Sequence, residues 1–292
     1  MSKREPASRT HRQADGANVK AETRAESRRR RISDLVLSSG SATAQDLATE
    51  FNVSIVTIHR DLDELERRGV VRKFHGGVTA QPSGIFESQM SYRLASRVAE
   101  KRAIAQAALT YVQPGMSILL DDSTTVLQMV DGLAERTPLY VATTFLAGLN
   151  RLGELSQEHD LTVIGLGGRY DVAHGSFLGV KTREQVEGLH MDAVFMSSSA
   201  VSRTDVFHQE EHVSSLKRAM LNSATEKYLL VDHTKLDRVA LLKIAALDEL
   251  TLIITDSNAD PEILAGWDAA GIAYELAPLE TDDNDDPTGA TS

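Results

Sequence analysis

SIVTIHRDLDELERR at residues 54–68, followed by GVVRKFHGG at residues 69–77, reads as a capped helix running into a short basic hairpin. Ser54 stands where a side-chain oxygen accepts a hydrogen bond from a free amide of the first turn, and Val53 and Ile58 occupy the two positions of a hydrophobic staple. Ile55, Ile58, Leu62 and Leu65 recur at helical spacing and are expected to form the buried stripe. That places Thr57, His59, Arg60, Asp61, Glu64 and Arg67 off the core face. Gly69 is suited to a left-handed stop, and Gly76 and Gly77 to the tight turn of the hairpin.

Directly upstream, Thr43 caps a second helix that has Asp46 at its third position and Leu47, Ala48 and Phe51 on its apolar side. Only Asn52 and Val53 separate the two helices. Helices joined by so few residues cross steeply, which is the helix-turn-helix geometry that projects the second helix into a major groove. A third helix comes before both, with Ile32, Leu35 and Val36 on one face and Gly40 at its end. Three helices and a basic hairpin make a small winged domain.

The charge is divided to match. Residues 1–80 hold 15 Lys and Arg against 11 Asp and Glu, and the other 212 residues hold 16 against 31, so a net of +4 faces a net of −15 within a whole-chain charge of −11. An acidic C-terminal region is repelled by phosphates, so nucleic-acid contact is confined to the basic end. With 292 residues, 41% of them hydrophobic, the chain is long enough for two packed domains. It has no cysteine, which excludes disulfides and thiolate chemistry and agrees with a cytoplasmic location. No apolar run is long enough to cross a bilayer, so no membrane partner is expected, and the basic N-terminus lacks the apolar core of a secretory signal.

The organisation predicted from these patterns is a disordered basic arm over residues 1–26, a winged helix-turn-helix domain over 27–80, and a linker over 81–90 opened by Gln81-Pro82-Ser83-Gly84. An effector-binding domain follows over 91–279, and a disordered acidic tail over 280–292. The second domain opens with one long helix predicted over 92–112, with Leu94, Val98, Ile104, Ala108 and Val112 apolar. Short apolar strands predicted over 117–121, 139–142, 161–164, 193–196, 228–231 and 252–255 alternate with helices that include 125–134, 210–225 and 261–270. Such alternation argues for an open, mostly parallel α/β sheet that binds ligands beyond the carboxyl ends of its strands.

TIHRDLDELERRG followed by HGG resembles the winged-helix signature of the DeoR family of bacterial transcription regulators, with His59 where arginine is usual. LDDSTT at residues 120–125, Gly167-Gly168, LKRAM at 216–220 and DHTK at 232–235 resemble that family's sensor motifs in the same order, and the likeness spans residues 28–278. Serine stands at 123 where the family usually has glycine, threonine at 144 where it has asparagine, and Ser197-Ser198-Ser199 where it has a glycine-rich strand end. The resemblance implies a Rossmann-like α/β sensor related to sugar-phosphate isomerases and CoA transferases. It also implies a regulator, most often a repressor of a carbohydrate catabolism operon, that leaves its operator when a phosphorylated sugar or related metabolite binds.

On this reading the partners are double-stranded operator DNA, a phosphorylated small-molecule effector and further copies of the chain in a dimer or tetramer. Thr57, His59 and Arg60 lie early on the recognition helix, the end that enters the groove; Thr43, Ser54 and Arg67 flank it, and Arg72, Lys73 and His75 belong to the wing. Arg28, Arg29, Arg30 and Arg31 begin the first helix, where positive charge opposes the helix dipole; a phosphate partner explains the run better than a soluble tail does.

Asp121, Ser123, Thr124 and Thr125 fall where a strand ends and a helix begins, which is either an anion site or a plain cap. Thr143 and Gly167-Gly168 follow two further strands, and Lys217 and Lys235 offer positive charge in an acidic domain. No cofactor is expected and no catalytic residue is assigned. A sugar-phosphate isomerase or deaminase is the alternative, with Asp121, Asp122, His208, Glu210 and Glu211 as imaginable acid–base groups. His208-Gln209-Glu210-Glu211-His212 also matches H-x-x-E-H, which on a helix would put two histidines on one face. A polar helix start is the favoured reading, with no metal.

Overall fold

The computed structural model describes residues 24–39, 41–74, 76–80 and 90–279. Residues 1–23 of the expected basic arm, the linker from 81 to 89, the acidic tail, Gly40 and His75 lie outside them, while residues 24–26, expected to be disordered, are helical. The first unit comprises α1 (Arg24–Ser39), β1 (Ser41–Thr43), α2 (Ala44–Glu50), α3 (Ile55–Arg67), β2 (Val71–Phe74) and β3 (Gly77–Ala80). Its three strands form an antiparallel sheet in the order β1-β3-β2. Gly77 pairs with both Thr43 and Phe74, and a Cβ on it would stand 2.5 Å from the Ala42 carbonyl oxygen, so only glycine lets the wing close on β1. Ile32, Val36, Leu47, Ile58, Leu62, Leu65, Val71 and Val78 are the core.

Two positions on α3 differ from the sequence expectation. Ile55 is 41% exposed, and Asp61 is 1% exposed. The buried stripe is therefore Ile58, Asp61, Leu62 and Leu65. An acidic residue occupies the fourth place because two arginines of α1 neutralise it there.

The second unit begins with α4 (Met90–Ala95) and α5 (Val98–Leu109). The single helix predicted over 92–112 is thus broken. Arg97 takes a left-handed conformation, φ 55, which no α-helix can contain, and Leu94 and Val98 on either side of the break are exposed. There follow β4 (Ser117–Leu120), a 3₁₀ run Val126–Arg136 in place of the expected α-helix, β5 (Leu139–Thr143), α6 (Leu146–Leu155), β6 (Leu161–Gly165), β7 (Arg169–Asp171), β8 (Ser176–Leu178), α7 (Val180–Glu187) and β9 (Met191–Met196). The chain continues through β10 (Ala200–Val201), β11 (Asp205–His208), α8 (Glu211–Asn222), β12 (Ala224–Leu230), β13 (Leu242–Ala246), β14 (Leu252–Asp256), α9 (Pro261–Ala270) and β15 (Tyr274–Ala277).

Seven strands form one sheet in the order β15-β14-β12-β9-β4-β5-β6, every neighbouring pair parallel. Alternate side chains feed two cores. Ile118, Leu120, Ala193, Phe195, Tyr228 and Leu230 pack with Ile104, Met129 and Val130 on one face. Leu119, Val194, Met196 and Leu229 pack with Leu216, Met220 and Trp267 on the other. Burial on both faces is what makes these strands read as continuous apolar runs. From β4 the chain winds outward to β6, returns to β9 on the opposite side of β4, and winds outward again. The switch point therefore falls between β4 and β9, where open α/β sheets bind their ligands. Two smaller antiparallel arrangements, β10-β11-β13 and β7-β8, sit beside this sheet.

Candidate functional site

The helix-turn-helix is held as its residues suggest. The Thr43 hydroxyl accepts from the Asp46 amide at 3.1 Å. The Asn52 backbone is left-handed, φ 49, and reverses the chain so that the Val53 amide donates to the Ala48 carbonyl at 3.1 Å. Ser54 Oγ then accepts from the Thr57 amide at 3.1 Å and lies 2.8 Å from the Thr57 hydroxyl. Thr43, Ser54 and Thr57 thus spend at least part of their hydrogen-bonding capacity on capping. His59 and Arg60 are exposed on the face opposite the core, with Ile55 and Val56 beside them, 41% and 57% exposed. Sequence reasoning missed the latter pair by assigning Ile55 to the core. Exposed aliphatic groups at the entering end of a recognition helix suit contact with thymine methyls.

The basic residues divide into two groups. Arg28 Nε donates to Asp61 Oδ2 at 2.6 Å and Arg29 Nε to Asp61 Oδ1 at 2.9 Å, so these two pin the start of α1 onto α3. Glu26, in the first turn of α1, accepts from Arg29 and from both terminal nitrogens of Arg68. The Arg31 guanidinium lies 5.0 Å over the Phe51 ring, and Arg30 is half-buried. Arg67 pairs with Glu64, whose carboxyl hydrogen bonds from Arg67 and Arg68 hold down at about 2. Lys73 pairs with Asp63. Arg60 and Arg72 project into solvent. Arg60→Ala is expected to weaken binding to genomic fragments recovered with the unmodified protein by about 1 to 3 kcal/mol, read by fluorescence anisotropy at fixed salt. Unchanged affinity removes Arg60 from the reading face.

The second site lies at the carboxyl ends of the parallel strands. Asp121, following β4, is fully enclosed and bridges the switch point: it accepts from the Ser123 amide at 2.9 Å and, through its other oxygen, from the Ser197 amide after β9 at 2.8 Å. Lys217 reaches in from α8, its Nζ 2.5 Å from Asp121 Oδ2 and 3.5 Å from Asp122 Oδ1. The Ser176 hydroxyl donates to Asp122 at 2.8 Å. Ser123 Oγ accepts from the Val126 amide at 3.0 Å, and Thr143 Oγ1 from the Phe145 amide at 3.1 Å. Thr125 is buried at the head of the 3₁₀ run and makes no side-chain cap.

Gly167-Gly168 serves packing. The Thr182 hydroxyl of α7 donates to the Gly167 carbonyl at 3.0 Å, and a Cβ on Gly168 would stand 2.0 Å from that hydroxyl.

Two further groups lie at this end, Thr144, which follows the same strand as Thr143, and Lys101, which escaped sequence reasoning. Thr144 Oγ1, after β5, is buried with no hydrogen-bond partner among the described residues. Lys101 is buried on α5, and its ammonium and the Thr124 hydroxyl both donate to the Arg93 carbonyl. Burial lowers the Lys101 pKa to about 8, against the pull of Asp232 and with the help of Lys235 and Arg93. Half-buried Lys235 in turn helps hold the Asp232 carboxyl low. A basic residue four positions after Arg97 was the available signal, but on an amphipathic helix it reads as a solvated lysine.

H-x-x-E-H is not a pair of histidines on one helix. His208 ends β11, and His212 alone lies on α8. No helix among the described residues is long and apolar enough to cross a membrane.

Comparison with known proteins agrees with both domains. Residues 28–83 match the DeoR-like helix-turn-helix domain and residues 96–257 the DeoR C-terminal sensor domain. The HTH-type transcriptional regulator GolR of Listeria innocua is 28% identical over 86% of this chain and 98% of its own length. The lactose phosphotransferase system repressor of Streptococcus mutans is 31% identical over 82% and 95%. Among solved structures, ribose 5-phosphate isomerase A of Methanocaldococcus jannaschii aligns over 47% of this chain and 53% of its own, at 19% identity and a TM-score of 0.32. With a basic winged head at one end and a matching sensor domain over most of the remainder, the chain belongs to the DeoR family and is a DNA-binding transcriptional regulator.

Proposed function

We propose that this regulator represses a carbohydrate catabolism operon and that a phosphorylated sugar, seated at the carboxyl ends of the parallel strands, releases it from its operator. One observation carries the reading. Hydroxyls of Ser123, Thr124, Thr143 and Thr144 follow β4 and β5 at their carboxyl ends, where Lys101 shares the Arg93 carbonyl with Thr124 and feels the charge of Lys235, in a strongly acidic domain. An anion needs such a local source of charge. Lys217 contributes little of it, because Asp121 and Asp122 already neutralise it. Two curated relatives support the sugar assignment by name, the lactose phosphotransferase system repressor and a putative aga operon transcriptional repressor of Escherichia coli O157:H7.

Occupancy shifts the protein only if the ligand prefers an arrangement of heads that fits DNA poorly. The heads pair through the sensor domain as a dimer or tetramer, and the regulator works on chromosomal DNA in the cytoplasm. The crevice is read as a sensor without turnover: two amides and an ammonium hold Asp121, and Ser176 donates to Asp122 beside the same ammonium, so both carboxylates serve to tie the loops together. Product formation from a sugar phosphate in a steady-state assay would favour the enzymatic alternative.

Isothermal titration with phosphorylated and unphosphorylated forms of the same sugars tests the proposal; equal binding of both defeats it. The pH dependence supplies a second check. With Lys101 at about 8 in the free protein, the ammonium is charged at neutral pH and neutral above that value. Phosphate binding must then take up a proton, and affinity is expected to fall by up to about tenfold per pH unit above 8. Lys101→Met should flatten this profile. A flat profile in the unmodified protein contradicts the placement of Lys101 at the ligand.

A further inference from the structure

His174, Glu210 and His212 come together from two elements that lie far apart in sequence. His174 sits in the turn between β7 and β8 with its side chain 4% exposed. Glu210 caps α8, and His212 is on that helix's first turn. His174 Nε2 is 3.1 Å from Glu210 Oε2, His212 Nε2 is 3.4 Å from the same oxygen, and one ligand atom from each of the three lies within 4.8 Å of the other two. The His212 Nε2 atom is itself buried and has no hydrogen-bond partner among the described residues.

We propose that these three side chains form a binding site for a divalent transition-metal ion of the zinc class. Two imidazoles and one carboxylate are a zinc donor set, with the fourth position left to water or another oxygen. Tetrahedral bonds of roughly 2.0–2.1 Å place donor atoms about 3.3 Å apart, which two of the three pairs already match. A cation also gives the buried nitrogen of His212 a bonding partner beyond its 3.4 Å contact with Glu210. His208 supplies the outer support. Its Nδ1 accepts from the Glu210 amide at 3.2 Å and its ring meets that of His174 edge-on at 6.4 Å, an arrangement that fixes the backbone from which the carboxylate projects.

The ion would fasten the β7–β8 hairpin to the head of α8. Both elements reach the ligand crevice, the hairpin through Ser176 and Asp122 and the helix through Lys217 and Asp121. The competing account is that the two histidines simply neutralise Glu210.

Full-length protein stripped with a chelator and titrated with zinc chloride decides between them. The expected result is one zinc per chain by calorimetry and elemental analysis, with a higher unfolding midpoint in the loaded form. His212→Ala, whose ring edge is exposed, and His174→Gln should each bind zinc about a hundredfold more weakly or not at all, while exposed His190→Ala retains the ion. Thermal melts of the metal-free variants check folding, and if His174→Gln fails to fold, His212→Ala decides. No zinc bound by the unmodified protein, or undiminished binding by His212→Ala, overturns the proposal.

Discussion

Lys217→Met is expected to destabilise the sensor domain by about 3 to 5 kcal/mol, the cost of stranding a buried charge. Lys217 Nζ and Asp121 Oδ2 are 2.5 Å apart with side chains 6% and 0% exposed, so no solvent can replace the ammonium. Two amide donors remain on Asp121, but they carry no net charge. The strain falls where β4 meets β9, because Asp121 is the side chain that ties the loops after those strands together. For a domain of this size the loss corresponds to an unfolding midpoint lower by roughly 10 °C. Asp121→Asn combined with Lys217→Met should recover part of it, since Asp121→Asn removes the orphaned charge while its NH2 takes the place of one of the two oxygens that accept from Ser123 and Ser197. A midpoint within a degree or two of the unmodified protein contradicts the buried pair.

Asp61→Asn is expected to have the second-largest effect, on the winged domain. The Asp61 side chain, 2% exposed, pairs with Arg28 and Arg29, which are themselves 19% and 22% exposed. Partial solvation of the arginines lets water recover some of the loss, so about 2 to 4 kcal/mol is expected. The carboxylate ties the start of α1 to the middle of α3, beside the Glu26–Arg68 pair that ties it to the end of that helix. Its loss should therefore loosen α1 selectively, accelerating amide exchange there by on the order of a hundredfold with the sensor domain unchanged. DNA affinity falls with it, although Asp61 faces away from the groove. Unaltered exchange in α1 would show that the arginines have another anchor.

The same residue marks the boundary of what the sequence reveals. Caps, turns and the winged topology were readable because each is a local pattern: Thr43 with Asp46, Ser54 with Thr57, Gly77 in the wing. Asp61 was not, since its partners lie 32 and 33 positions away, and an acidic residue on a helix reads as solvated until its counter-charges are found. Ile55 was misplaced for the complementary reason: apolarity alone put it on the core stripe, while the fold turns it outward next to Val56.

In the sensor domain, six parallel strands were apparent because burial on both faces gives uninterrupted apolar runs. The edge strand β15, at YELA, and the antiparallel strands β11 and β13 carry polar residues, β10 is only two residues long, and all four take their identity from distant partners. The break at Arg97 lacks glycine or proline to announce it. At the crevice, the strand-end hydroxyls were readable from their position after apolar runs. Lys101, Ser176 and His174 were not, because tertiary contacts alone bring them to that end of the sheet.

The central claim is that the winged head holds DNA and the crevice decides when it lets go. Sequencing the genomic fragments captured by the full-length protein, with and without a panel of phosphorylated sugars, tests it most directly. The account predicts a small set of enriched promoter fragments that is lost with at least one phosphorylated sugar and kept with its unphosphorylated counterpart. Enrichment that no phosphorylated sugar alters, or no enrichment at all, contradicts it.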